Sequence, residues 1–134
     1  MAHPENPPES PYVFRASKAG FSEDGPALKV KEARMLGGIR LRYQERYPDP
    51  EAAAREPWCV IGHSWVVLSG RLRVEFDDHV VELDPGDMAH IPPGPEHRHR
   101  ASAAGNEPVK YYVTSFTWEE SKAPKPTAAR PARG

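Results

Sequence analysis

The sequence predicts an all-β domain, and three observations support this fold class. Short segments alternate apolar and polar residues with a period of two, as Leu72, Val74 and Phe76 do with Arg71, Arg73 and Glu75. Turns rich in Gly, Pro and Asp separate these segments at short intervals. No long segment shows the period of an amphipathic helix. The pattern therefore predicts a sandwich or barrel of short strands.

Length and composition limit the classes of function. The 134 residues suffice for one domain with a single core. A net charge of −1 gives no reason to expect a nucleic acid or an anionic membrane as partner. The single cysteine cannot form an internal disulfide, and residues 1–11 lack the apolar core of a signal peptide, so we expect a cytoplasmic protein. No apolar run has the length of a membrane span.

The composition of the two ends predicts flexible segments. Residues 1–11 are polar and rich in proline, and residues 119–134 are rich in Ala, Pro, Lys and Arg. The folded domain is expected over residues 12–118.

The first half of that domain contains three predicted strands. Residues 12–14 form a possible edge strand, and residues 27–32 form a second, with Leu28 and Val30 on one face. In the third, Ile39, Leu41 and Tyr43 alternate with Arg40, Arg42 and Gln44, which is typical of a half-buried strand. Residues 51–55 are predicted to form a short helical turn or a loop.

The second half contains the remaining strands. Cys59, Ile61, His63, Trp65 and Val67 share one face of a predicted strand. Further strands are expected at residues 71–76, 79–83, 88–91 and 109–118, and a loop at residues 101–108. Pro92-Pro93-Gly94-Pro95 cannot continue a strand ladder, because three of its four residues lack an N–H. The chain is expected to turn there and to start a new strand with His97 and His99 on one face.

The segment from Gly86 to His97 resembles the second motif of the cupin superfamily. Gly86, Pro92, Gly94 and His97 stand at the spacing of Gly, five residues, Pro, one residue, Gly, two residues and His. Ala101 occupies the position of the motif's closing Asn. The fold that the resemblance implies is the double-stranded β-helix, a jelly roll.

The segment that ends at Gly70 resembles the first cupin motif in altered form. Its closing Gly matches Gly70, which is separated from Gly86 by 15 intervening residues. His63 falls where the motif has a Glu, and the stretch Glu56-Pro57-Trp58-Cys59 stands in place of the motif's His-x-His pair. The resemblance also implies a homodimer formed through N-terminal strands, here residues 12–14 and 27–46.

The resemblance implies a divalent metal inside the barrel, with His97 as its first ligand and His63 as its second. Two imidazoles suit Zn, Fe, Ni or Cu. Cys59 is the natural third ligand, since it lies on the same strand face as His63, while His99 and Glu56 are reserves. We expect the imidazole nitrogens of His63 and His97 to lie within about 4–5 Å of each other, roughly twice a zinc–nitrogen bond. Metal affinity is expected to fall as the imidazoles protonate near a pKa of about 6.5.

The sequence leaves the reaction open. The leading hypothesis is a small metal-dependent enzyme that holds a small-molecule ligand in its barrel, where the metal would act as a Lewis acid. The alternative is a non-catalytic cupin that binds or senses a small molecule, and a third possibility is a filled barrel without a ligand. No nucleophile elbow, phosphate loop or Cys-x-x-Cys pair points to another chemistry.

Overall fold

Two antiparallel sheets form the fold in a computed structural model that describes residues 6–117. The larger sheet has six strands in the order β1-β2-β3-β9-β4-β7, and the smaller has three in the order β6-β5-β8. The strands are β1 (Ser22–Glu23), β2 (Leu28–Arg34), β3 (Arg40–Arg46), β4 (Gly62–Ser69), β5 (Leu72–Glu75), β6 (Val80–Leu83), β7 (Met88–Ile91), β8 (Arg100–Ala103) and β9 (Val109–Phe116). The predicted all-β jelly roll is confirmed.

The core lies between the two sheets, where alternate residues of facing strands meet. Leu72 and Val74 of β5 contribute from the smaller sheet, and Trp65 and Tyr111 contribute from the larger one. The fully or nearly fully buried apolar residues of this cluster are Trp65, Val67, Leu72, Val74, Ile91, Ala101, Val109, Tyr111 and Val113. The predicted alternation in β4 and β5 therefore identifies core side chains correctly.

The helical regions are short. Within the described part of the chain, one α-helix, α1, spans Pro50–Arg55, and Asp49 caps it by accepting a hydrogen bond from the N–H of Ala52 at 3.0 Å. Three 3-10 turns lie at Ala16–Lys18, Leu36–Gly38 and Pro95–His97. Among residues 6–117, no helix combines the length and the apolar character needed to cross a bilayer.

The predicted edge strand at residues 12–14 is wrong. The N–H of Val13 bonds to the carbonyl of Ser10, and the Val13 carbonyl accepts from the N–H of Glu9, so this segment makes a local turn. These bonds occupy the groups that a sheet partner would need. The first strand of the described residues is instead Ser22–Glu23, which pairs with β2.

In β3 the polar residues face the interior and the apolar residues face outward, which is the reverse of the arrangement in β5. Register pairs Gln44 with Tyr111 and Arg46 with Val109, and both of these β9 residues are completely buried. Directly paired residues of antiparallel strands point to the same face, so the polar set of β3 faces the interior. Its apolar set faces outward, where Tyr43 packs against the half-exposed Tyr112.

The ends of the chain lie partly outside the described residues. The flexible segments predicted at residues 1–11 and 119–134 include residues 1–5 and the whole C-terminal segment, which are not described. The same holds for Trp118, the last residue of the predicted final strand. The described part of that strand, Val109–Phe116, is confirmed as β9.

Candidate metal centre

Three potential metal ligands meet at one end of the barrel interior. Cys59, His63 and His99 each offer one ligand atom, and these atoms lie within 4.8 Å of one another. The sulfur of Cys59 lies 3.5 Å from Nε2 of His63. His63 and His99 are 8% and 2% exposed, so both imidazoles are buried, whereas Cys59 is half-buried.

The backbone brings Cys59 and His99 together directly. The N–H of Cys59 donates to the carbonyl of His99 at 2.7 Å, and the N–H of His99 donates back to the carbonyl of Cys59 at 3.0 Å. This isolated antiparallel bridge lies just before β4 and β8 begin. The segments that carry the two side chains are therefore held in register independently of any bound ion.

Hydrogen bonds to the backbone determine the tautomer of His63. Its Nδ1 lies 3.1 Å from the carbonyl oxygen of Thr114 and 3.2 Å from the hydroxyl oxygen of Ser115. A carbonyl only accepts, so Nδ1 must carry the proton. The lone pair is then on Nε2, which faces the sulfur of Cys59.

His99 follows the same rule and leaves its second nitrogen without a partner. Its Nδ1 lies 3.0 Å from the carbonyl oxygen of His97, so Nδ1–H donates and Nε2 carries the lone pair. Nε2 is buried and accepts no hydrogen bond from any described residue. Metal-binding histidines usually have this arrangement, with the distal N–H held by a backbone carbonyl.

Burial keeps all three groups uncharged near neutral pH. It lowers the pKa of His63 to about 4, although the Thr114 carbonyl opposes this effect. Burial also lowers the pKa of His99. Burial raises the pKa of the Cys59 thiol, which therefore carries a proton when no metal is present. The expectation that the imidazoles protonate near pH 6.5 is wrong for His63.

The donor set fits a transition metal such as zinc. In a tetrahedral site with Zn–N of about 2.0–2.1 Å and Zn–S of about 2.3 Å, neighbouring ligand atoms lie roughly 3.3–3.6 Å apart. The 3.5 Å between Cys59 and His63 meets this requirement without movement. Separations of up to 4.8 Å need closure of at most about 1.5 Å. Three protein ligands with one open position are the usual pattern of a catalytic zinc site.

His97 does not join this cluster, contrary to the expected pairing of its ring with His63. Gly94 has φ 132°, and Pro95 then begins a 3-10 turn that includes His97, so no strand starts there. The His97 side chain is 41% exposed and lies 4.0 Å from the carboxylate of Glu96. Its contribution to the centre is its carbonyl, which orients His99.

Glu56 also lies outside the cluster, since its carboxylate faces Arg46 at 3.5 Å.

The sequence also contains a signal that His99 faces inward, although it is weaker than the cupin motif that pointed to His97. His99, Ala101 and Ala103 share one parity, and Arg98, Arg100 and Ser102 share the other. Ala101 lies in the core, so residues of its parity on this strand face inward. The alternation alone therefore indicates an inward His99.

Aromatic rings form one wall of the centre. The ring of Trp65 stacks on His63 with centroids 5.4 Å apart and an interplanar angle of 10°. Trp65 also meets His99 edge-on at 5.9 Å. These contacts restrict the rotation of both imidazoles, which preserves the direction of their lone pairs.

An open cavity of about 560 Å³ adjoins the cluster. Its lining includes all three cluster residues and the inward side chains of β3, among them Gln44 and Arg46. This volume lies in the range of about 300–1,000 Å³ that is typical of small-molecule sites.

Comparisons with known proteins agree with this architecture. Residues 61–115 match the family model of the cupin domain. A protein of unknown function from Rhizobium leguminosarum bv. viciae 3841 has 18% identity and a TM-score of 0.58, over 78% of this chain and 94% of that chain. The cupin domain of Schizosaccharomyces pombe Cnp3 has 16% identity and a TM-score of 0.60, over 79% and 74%.

A third similar structure is HppE in its iron(II) form, with 12% identity and a TM-score of 0.62. The alignment covers 76% of this chain but only 58% of HppE. At these identities the likeness concerns the fold alone. No curated protein matches the sequence. The match over residues 61–115 and the shared architecture together confirm the resemblance to the cupins and show that the chain has the cupin fold.

Proposed function

We propose that this protein binds one divalent transition metal through Cys59, His63 and His99, and that it acts on a small molecule in the adjoining cavity. The observation that carries the proposal is the pair of imidazoles whose Nδ1–H groups are held by backbone carbonyls. Their Nε2 lone pairs therefore point into the cluster, where that of His63 faces the Cys59 sulfur and that of His99 has no partner among the described residues. His99 replaces His97 in this ligand set. A bound metal would supply Lewis-acid polarisation of a ligand oxygen.

The cost of burying an unpaired polar atom supports His99 as a metal ligand. A buried polar atom without a partner typically costs about 1–3 kcal/mol. Nε2 of His99 is such an atom among the described residues, and metal coordination would satisfy it. A purely structural histidine at this place would be expected to use both ring nitrogens.

Metal content tests the ligand set. The purified protein, the variants His99→Ala and Cys59→Ser, and the control His97→Ala are each loaded with zinc, desalted and analysed for metal. We expect one zinc per chain in the wild type and in His97→Ala, and almost none in His99→Ala. A wild type without zinc, or a His99→Ala variant with full occupancy, would refute the site.

Catalysis is the proposed use of the centre. Turnover can be sought in a metabolite mixture incubated with the metal-loaded protein, with and without a chelator. Consumption of a compound that stops when the chelator is added supports an enzyme. Retention of a compound without conversion indicates the alternative, a binding or sensing cupin.

We also propose a homodimer formed through the outer face of the larger sheet. Phe14, Leu41, Tyr43 and Tyr112 line an apolar groove of about 570 Å³ on this face, and Met88 at its edge is 76% exposed. Exposed apolar surface of this kind is typical of an interaction site. Light scattering after size exclusion should give twice the chain mass, and Tyr112→Glu should give a monomer. A monomeric wild type would contradict the proposal.

The proposed location is the cytoplasm. A reducing compartment would keep the single cysteine, Cys59, available as a ligand. Fractionation of the producing cells tests this location, and recovery of the protein outside the cytoplasm would refute it.

A further inference from the structure

The inner face of β3 is unusually polar for the interior of a small barrel. Arg40, Arg42, Gln44 and Arg46 share this face, and all four line the cavity beside the candidate metal centre. Core positions of small barrels are normally filled by apolar side chains. Polar residues at these positions therefore indicate a cavity that holds a polar ligand.

Gln44 is the member of this row whose side chain has no partner within the described part of the chain. It is 4% exposed, and its amide makes no hydrogen bond to any residue of the described range 6–117. The amide oxygen and nitrogen are not sealed within the protein, so they face the cavity. A buried amide that serves only the fold would normally have partners in the protein.

Arg46 is buried with most of its hydrogen-bonding capacity unused. Its Nε donates to the hydroxyl of Tyr111 at 3.1 Å, and its Nη1 faces a carboxylate oxygen of Glu56 at a loose 3.5 Å. A guanidinium has five N–H donors. Nη2 makes no hydrogen bond to any described residue and is not sealed within the protein, and Arg46 is one of the residues that line this cavity. Desolvating a cation this incompletely paired is costly, unless a ligand supplies the missing acceptors.

The charges of the cavity favour an anion. Four arginines and three acids line it, and the imidazoles of His63 and His99 are neutral. Arg42 is paired with Glu32 at 2.8 Å and with Asp24 at 3.3 Å, and Arg100 is paired with Glu75 at 3.0 Å. The ion pair of Arg46 with Glu56, at 3.5 Å, is longer than the shortest ion pairs of Arg42 and Arg100. A bound anion would therefore compete least with carboxylates of the protein at Arg46.

We propose that Gln44 and Arg46 bind the carboxylate of a small organic acid, whose other end points toward Cys59, His63 and His99. The two side chains are two residues apart on one strand face, about 7 Å along the strand, which long side chains can bridge to one carboxylate. The planar guanidinium donates to both oxygens, and the Gln44 amide donates a further hydrogen bond. This inference rests on the proposed function for the reacting end, whereas the carboxylate contacts stand independently of it.

Calorimetry with simple dicarboxylates tests the inference. Malonate and succinate, each compared with its uncharged diamide, are titrated into zinc-loaded protein and into chelator-treated protein. We expect saturable binding of at least one dicarboxylate and none of its diamide. Affinity should fall about tenfold or more in Gln44→Leu and in Arg46→Met. Arg71→Met, which removes an exposed guanidinium outside the cavity, should leave binding unchanged.

The outcomes separate this inference from the proposed function. Zinc binding without dicarboxylate binding, or dicarboxylate binding that is unaffected in Gln44→Leu, overturns the inference alone. Dicarboxylate binding that depends on Gln44 in a protein that holds no zinc supports the inference and overturns the metal centre. Gln44→Leu removes no hydrogen bond within the described residues, so it serves as the decisive variant if Arg46→Met does not fold.

Discussion

Zinc affinity should depend on pH through one group, the thiol of Cys59. Burial raises the pKa of this thiol, so it is protonated throughout pH 6–8. Coordination as a thiolate then releases one proton. His63, with a pKa of about 4, and His99, with a lowered pKa, are already neutral and release none. Zinc affinity should therefore fall about tenfold per pH unit as pH decreases.

The expected change between pH 8 and pH 6 is about 100-fold in Kd, or about 2.7 kcal/mol. Competition with a chromophoric chelator of known pH dependence measures this change directly. The matched variant Cys59→Ser should bind zinc more weakly and show almost no dependence on pH over the same range. His97→Ala should behave like the wild type, since its ring lies outside the cluster.

Two results would refute this reasoning. A wild-type slope of two or three protons would mean that the imidazoles are charged before zinc binds, contrary to their burial. A slope that persists in Cys59→Ser would mean that the sulfur is not the group that loses a proton.

Three further predictions concern stability. In the metal-free protein, His63 is neutral when folded and titrates near 6.5 when unfolded, so unfolding takes up a proton as pH falls from 6.5 to 4. Acidification from pH 6.5 to 4 should therefore lower the free energy of unfolding by up to about 3 kcal/mol. Urea titrations should show a weaker dependence of this free energy on pH in His63→Gln, and an unchanged dependence would contradict the burial argument. Gly70→Ala should lower the free energy of unfolding by at least about 2 kcal/mol, because Gly70 has φ 78° and a Cβ would lie 2.3 Å from the Pro108 carbonyl oxygen. A near-normal melting temperature would show that the loop relaxes at little cost. Gly94→Val, at φ 132°, should cost about 1–3 kcal/mol and also weaken zinc binding, and wild-type behaviour in both assays would count against the turn as a support for the centre.

The sequence by itself determines the strand content and the resemblance to the cupin fold. Period-two alternation depends on local chain geometry, so it identified β4 and β5 without knowledge of their partners. The spacing of Gly86, Pro92 and Gly94 reflects backbone constraints of two tight turns, and this made the cupin resemblance specific for the fold. Cys59 and His63 were also selected correctly as near neighbours, because their separation along one strand is local.

Only the tertiary structure decided which histidine completes the cluster and which face of β3 is interior. His97 and His99 differ by two residues, and the choice depends on where a strand begins after Gly94. The 3-10 turn at Pro95–His97 delays that strand, and the bridge to Cys59 then directs His99 inward. The alternation of β3 cannot say which side meets the second sheet, because that depends on pairing with β9. Long-range register thus converts a local pattern into a specific set of side chains facing one cavity.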